Sequence, residues 1–92
     1  MKIASAQIRL YAPWVHSLKE KRMVVKSLTA KIRNRFNVSV AEVEAQDVHQ
    51  TIVLGIACVS ETASFADGVI DKVVAFIEAN TEAEITDIRR EA

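Results

Sequence analysis

The sequence predicts an α+β fold of the ferredoxin-like type, β-α-β-β-α-β, with a four-stranded antiparallel sheet in the order 4-1-3-2 and both helices on one face. Three observations carry that expectation. Four stretches have the period-two or β-rich pattern of strands, two have the 3.6-residue period of amphipathic helices, and the two kinds alternate as a repeated split β-α-β unit.

The first strand is residues 3–11, where Ala4, Ala6, Ile8 and Leu10 share a face opposite Ser5, Gln7 and Arg9. Tyr11 to His16 is a loop, because Pro13 lacks an N–H donor and biases Ala12 toward extended geometry. Ser17 opens the first helix as its N-cap, with Glu20 completing an S-x-x-E capping box. Leu18, Val24, Val25, Leu28 and Ile32 fall on one arc, continued by Phe36. Alternation resumes with Phe36, Val38 and Val40, then changes phase at Ala41, Val43 and Ala45, which predicts a bulge near Val40-Ala41. Gln46-Asp47 is the hairpin tip. Thr51 to Val59 is apolar on both faces, the mark of a central strand. Ser60 or Thr62 starts the second helix, whose arc is Phe65, Val69, Ile70, Val73, Phe76 and Ile77, ending near Asn80. Glu84 to Arg90 forms an edge strand, since Ile85 and Ile88 do not share a face.

The 92 residues are expected to make one domain, 1–92, large enough to bury a core without disulfides or metal. Half of them are hydrophobic and the net charge is zero, which excludes a disordered chain. A single cysteine fits a reducing compartment. No apolar run approaches the roughly 18 residues of a membrane span, and the alternating N-terminus is not a signal-peptide core. The expectation is a cytoplasmic protein with no membrane partner.

The neutral total hides a division. Residues 1–40 carry nine Lys and Arg against Glu20, a net +8, and residues 41–92 carry three against eleven acids, a net −8. On the first helix Arg22, Lys26 and Arg33 form a stripe with Lys19 beside it, and on the second Asp67, Asp71 and Glu78 form another. Right-handed crossovers run the two helices antiparallel and turn both stripes outward, the basic one toward strand 2 and the acidic one toward strand 4. Such a flank suits an anionic partner, and it is also what an ordinary solvated helix face looks like.

Reaction chemistry is absent from the pattern. His16 and His49 stand apart in loops or strand ends, and no Cys/His pair has zinc spacing, so no metal or other cofactor is expected. Cys58 belongs to the core face of its strand. Two glycines, Gly55 and Gly68, cannot form a phosphate-cradling loop. Ser17 and Ser60 are explained as caps. Glu42 and Glu44, two apart on a strand, would share a solvent-facing surface and are the sole candidate acid/base pair. The chain therefore reads as a non-enzyme.

Two kinds of partner remain. Base stacking on a sheet needs aromatics on the central strands, and only Tyr11 at a strand end is present, so nucleic acid would be held by phosphate contacts. The candidate nucleic-acid-binding residues are Lys19, Lys21, Arg22, Lys26, Lys31, Arg33 and Arg35. The uncovered sheet face, with Ile3, Val53, Ala57 and Val59, is the candidate homodimer interface. Trp14 is either an interface anchor or a lid over the core edge. A ligand-binding regulatory domain at a dimer interface is a third possibility that no residue set supports.

Ser17-Leu-Lys-Glu-Lys-Arg22, Asn34-Arg-Phe-Asn-Val-Ser-Val-Ala-Glu-Val43, Gln46-Asp47, Gln50 and Leu54-Gly55 together resemble the bacterial YlxP-like family, a domain of unknown function. The resemblance implies a small ferredoxin-like cytoplasmic protein. It also implies a gene commonly found near those for transcription-elongation, translation-initiation and ribosome-maturation factors. The leading expectation is an accessory factor that binds structured RNA or the ribosome; the alternative is a self-assembling protein-interaction module.

Overall fold

A computed structural model describes residues 1–91 and places β1 (Lys2–Tyr11), α1 (Leu18–Arg35), β2 (Ser39–Glu44), β3 (Thr51–Ser60), α2 (Ala63–Asn80) and β4 (Glu84–Glu91) in that order. The sheet runs β2-β3-β1-β4, with all three pairings antiparallel, which is the expected order read from the other edge. β1 and β3 pair along their full length, from Lys2 opposite Ser60 to Tyr11 opposite Thr51. That register sets Ala4, Ala6, Ile8 and Leu10 beside Cys58, Ile56, Leu54 and Ile52, and this double row is the floor of the core. α2 covers β1 and β3 through Ala66, Ile70, Val73 and Ile77, while α1 lies along β2 and against α2. No helix among the described residues is long and apolar enough to cross a membrane.

Several expectations change in detail. The Ser17 cap forms, its hydroxyl accepting from the Glu20 N–H at 3.1 Å. Thr62, rather than Ser60, caps α2, accepting from the Phe65 N–H at 3.2 Å. Phe65 itself points to solvent, because Ala66 takes the buried position on that turn. The bulge lies between Glu42 and Glu44, two residues later than the change of pattern suggested, since Phe36 closes α1 and Val38 precedes β2.

That displacement has chemical consequences. Glu42 opposes the inward-facing Leu54 and turns to the helix side, whereas Glu44 opposes Val53 on the open face. The two carboxylates are therefore on opposite sides of the sheet and cannot act as a pair. The extra residue, Val43, folds over Gly55, where an added Cβ would lie 2.7 Å from its Cγ1. Gly55 is needed for that close approach, not for an unusual backbone angle.

Candidate nucleic-acid interface

The seven basic residues expected to form one surface separate into three groups. Lys19, Arg22 and Lys26 are exposed, and among the described residues none of them is in an ion pair. Arg33 continues their stripe and donates from Nη2 to the Val40 carbonyl at 2.7 Å, so the stripe lies along the outer edge of β2. Helical geometry spreads these four over about 21 Å. On the other flank, Asp71 of α2 pairs with Arg90 of β4. Basic and acidic stripes thus face opposite edges of the sheet, the arrangement expected from right-handed crossovers.

Lys21 does not belong to this surface. It is 1% exposed, and its ammonium donates to the carbonyls of Ala45 and Val48, the latter at 2.7 Å. Glu42 Oε2 also lies 2.7 Å away, in ion-pair contact but outside hydrogen-bonding geometry, and has no other donor. The residue sits on the apolar arc of α1, between Leu28 and Ile32 in angle, where helical spacing brings it under the hairpin tip. An ammonium in that place gives the Val48 carbonyl a donor and the Ala45 carbonyl a second one. Ala45, whose φ is 59°, is the left-handed residue of that turn, and its carbonyl also accepts from the Val48 N–H at 3.0 Å.

Lys31 and Arg35 lie on the side of α1 that faces α2. The Arg35 guanidinium is 5.9 Å from the centroid of the Phe76 ring, and that ring meets Phe36 edge-on at 5.5 Å. Lys31 borders a hollow of about 370 Å³ with Trp14, Met23, Val24, Ser27, Leu28, Asn80, Thr81 and Glu82. Trp14 is 39% exposed and Met23 65% exposed, so the tryptophan forms a wall of an open hollow instead of sealing the core. Its loop is held by Gln50, which donates from Nε2 to the Pro13 carbonyl at 3.0 Å and accepts from the Ala12 N–H at 2.8 Å.

The open sheet face is also divided. Ile3 and Val59 are 57% and 60% exposed, and Ala57 is partly covered. Val53, expected among them, is only 2% exposed. Gln7, Arg9, Glu44, Asp87 and Arg89 surround it, joined by the Arg9–Glu44 contact at 3.8 Å and the Arg89–Asp87 pair at 3.3 Å. Side chains from β1, β2 and β4 roof a valine that alternation alone places on the surface. Cys58 is buried and free. Among the described residues no group of three His, Cys, Asp or Glu side chains is arranged to hold a metal ion.

Residues 3–90, nearly the whole fold including both helices and the Lys21 pin, match the family model described as "Protein of unknown function (DUF503)". The chain belongs to the DUF503 family. It is also 41% identical over 75 residues to the uncharacterized protein YlxP of Bacillus subtilis (strain 168), an alignment covering 82% of each chain. A de novo designed protein with a ferredoxin fold, LFR1 1, superposes with a TM-score of 0.55 at 17% identity, over 99% of this chain and 84% of the design. A second design, Ferredog-Diesel, gives a TM-score of 0.47 at 11% identity, over 99% and 85% of the two chains. The designed ferredoxin fold bears on architecture alone.

In this DUF503 chain the residues that carry the family resemblance are largely architectural. Ser17 caps α1, Lys21 and Gln50 tie two loops down, and Gly55 admits Val43. Arg22 and Lys19 are the members of the first block left facing solvent without an acidic partner. The hollow beside Trp14 was not foreseen, although Met23 signalled it as an apolar residue off the buried arc of α1.

Proposed function

We propose that this DUF503 protein is a non-enzymatic cytoplasmic factor that binds structured RNA, free or within the ribosome, through the flank formed by Lys19, Arg22, Lys26 and Arg33. The observation that carries the reading is the separation of the two helix stripes: the acidic stripe of α2 lies toward the β4 edge, where Asp71 is engaged by Arg90, and the two acids of β2 beside the basic stripe are engaged elsewhere, Glu42 by Lys21 and Glu44 by Arg9. A run of cations along one exposed helix face, with no aromatic among them, suits a phosphate backbone rather than base readout. Lys21 has no part in it.

Binding by three or four phosphate contacts should weaken between tenfold and a few hundredfold from 50 to 200 mM salt, by release of condensed counterions. The test is Arg22→Glu with Lys26→Glu in the full chain, measured for affinity to a blunt RNA duplex and for sedimentation with ribosomes. Both residues are exposed, so the fold is expected to persist. Unchanged affinity in the folded variant would refute the proposal.

A second reading has its own observation. Ile3 and Val59 stand exposed beside the small residues Ala41, Gly55 and Ala57, a flat apolar area that could pair with a second copy. It predicts that Ile3→Lys with Val59→Lys turns a dimer into a monomer in sedimentation. A wild-type monomer at high concentration in low salt removes this reading.

A further inference from the structure

From the geometry of the hollow between the β1–α1 loop, α1 and the end of α2, we infer a pocket for one unpaired nucleobase of the RNA held by the basic flank. The inference rests on the phosphate-binding reading and extends it from a charged stripe to a two-part site. At about 370 Å³ the hollow is near the low end of ligand sites, which run from roughly 300 to 1,000 Å³. That size suits one planar ring system better than a larger ligand.

Its lining has three complementary parts. Trp14 and Met23 supply exposed apolar surface, and Trp is a preferred platform for an unstacked base. Lys31, exposed and without an ion-pair partner among the described residues, stands at the rim where a phosphate attached to that base would lie. Glu82 and Asn80 provide acceptors on the other side; the Asn80 amide N–H donates to the Phe76 carbonyl at 2.8 Å, leaving its oxygen available. Carboxylate and amide oxygens can accept from the amino and imino groups on a base's Watson–Crick edge. Lys31, Asn80 and Glu82 are exposed at the rim, so a nucleotide can exchange their water contacts for its own, whereas a purely apolar partner would only displace that water.

The hollow is on the same helix as the basic stripe, across its solvent crest, where Ser27 and Ala30 are small. A strand leaving a duplex bound at Arg22 and Lys26 would cross that crest to reach the hollow. The pocket wall is also preset, because Gln50 holds the Trp14 loop from behind.

Trp14 is the single tryptophan, so its fluorescence reports on the pocket directly. The full chain is titrated with a blunt RNA duplex and with the same duplex carrying a short single-stranded overhang. The overhang should quench Trp14 and tighten binding by about fivefold, the lower end of what base–aromatic stacking contributes. Met23→Ser, an uncharged change at an exposed position on the lip, should remove most of both effects while leaving blunt-duplex affinity within about twofold, because the charge of the basic flank is unchanged. Trp14→Ala should abolish the overhang preference in the same way. Equal affinity for both RNAs with no quenching overturns the pocket and leaves the phosphate reading standing. Failure of both RNAs to bind overturns both. An overhang preference undiminished by Met23→Ser and Trp14→Ala also overturns the pocket.

Discussion

A lysine at 1% exposure is unusual enough to test first, because burying an ammonium is costly unless every donor finds an acceptor. Lys21 finds two carbonyls and a carboxylate, all from the segment between Glu42 and Val48. Lys21→Met keeps the stem but leaves Glu42 and the two carbonyls without that donor, so it should lower stability by about 3 kcal/mol, the lower end for breaking a buried pair. The lower end applies because the Glu42 side chain keeps 17% exposure. Glu42→Gln retains an acceptor for the ammonium and should cost about 1 kcal/mol. Urea unfolding followed by circular dichroism measures both; equal losses would mean that the carbonyls contribute little. The role of Lys21 was not legible beforehand for a physical reason. Its charge counts it with the exposed residues in any composition or stripe, while its angular position between Leu28 and Ile32 already sets it on the buried arc. Val53 shows the reverse error, since alternation records which face a residue takes but not whether Arg9, Glu44 and Gln7 will cover it.

At the scale of elements, strands and helices were legible because they rest on local periodicity, and the sheet order followed from their β-α-β-β-α-β succession, whose simplest packing is the ferredoxin-like sandwich. What escaped was the hairpin's fine register, which depends on a contact across strands. Val43 bulges out between Glu42 and Glu44 and lies on Gly55, so the two residues form one unit. Gly55→Ala should therefore destabilise by about 1–3 kcal/mol, the usual cost of overpacking. With Val43→Ala already in place, the clash is gone and the same change should be neutral or stabilising by about 0.5 kcal/mol, since glycine is unfavourable inside a strand. A double-mutant cycle by chemical denaturation checks this, and additive effects would show that the contact is not the reason for glycine. The same bulge sends Glu42 to Lys21 and Glu44 to Arg9. One inserted residue thus fastens the hairpin to α1 and roofs Val53 on the other face.

For the whole molecule, the decisive property is that a net charge of zero coexists with a basic stripe on α1 and an acidic stripe on α2 that face opposite flanks. A neutral dipolar protein near a polyanion gains little attraction at long range but is turned by the field, so the basic flank leads and the acidic flank trails. The acids at Asp67 and Glu78 should then influence association without touching the RNA. Both are exposed, and neither is in an ion pair among the described residues. Asp67→Asn with Glu78→Gln raises the net charge to +2 and should speed association with an RNA duplex several-fold at about 10 mM salt, where the Debye length is near 30 Å. At 0.15 M, with a Debye length of about 8 Å, the gain should disappear, and the dissociation rate should be unchanged at both salts. Stopped-flow association kinetics at the two ionic strengths measure this. The contrast with Arg22→Glu plus Lys26→Glu is diagnostic: those residues are the proposed phosphate contacts, so their loss should raise the dissociation rate at every salt concentration. If the acidic-flank variant instead alters dissociation, RNA reaches across the molecule to the β4 edge. The one-sided placement of the phosphate contacts would then be wrong.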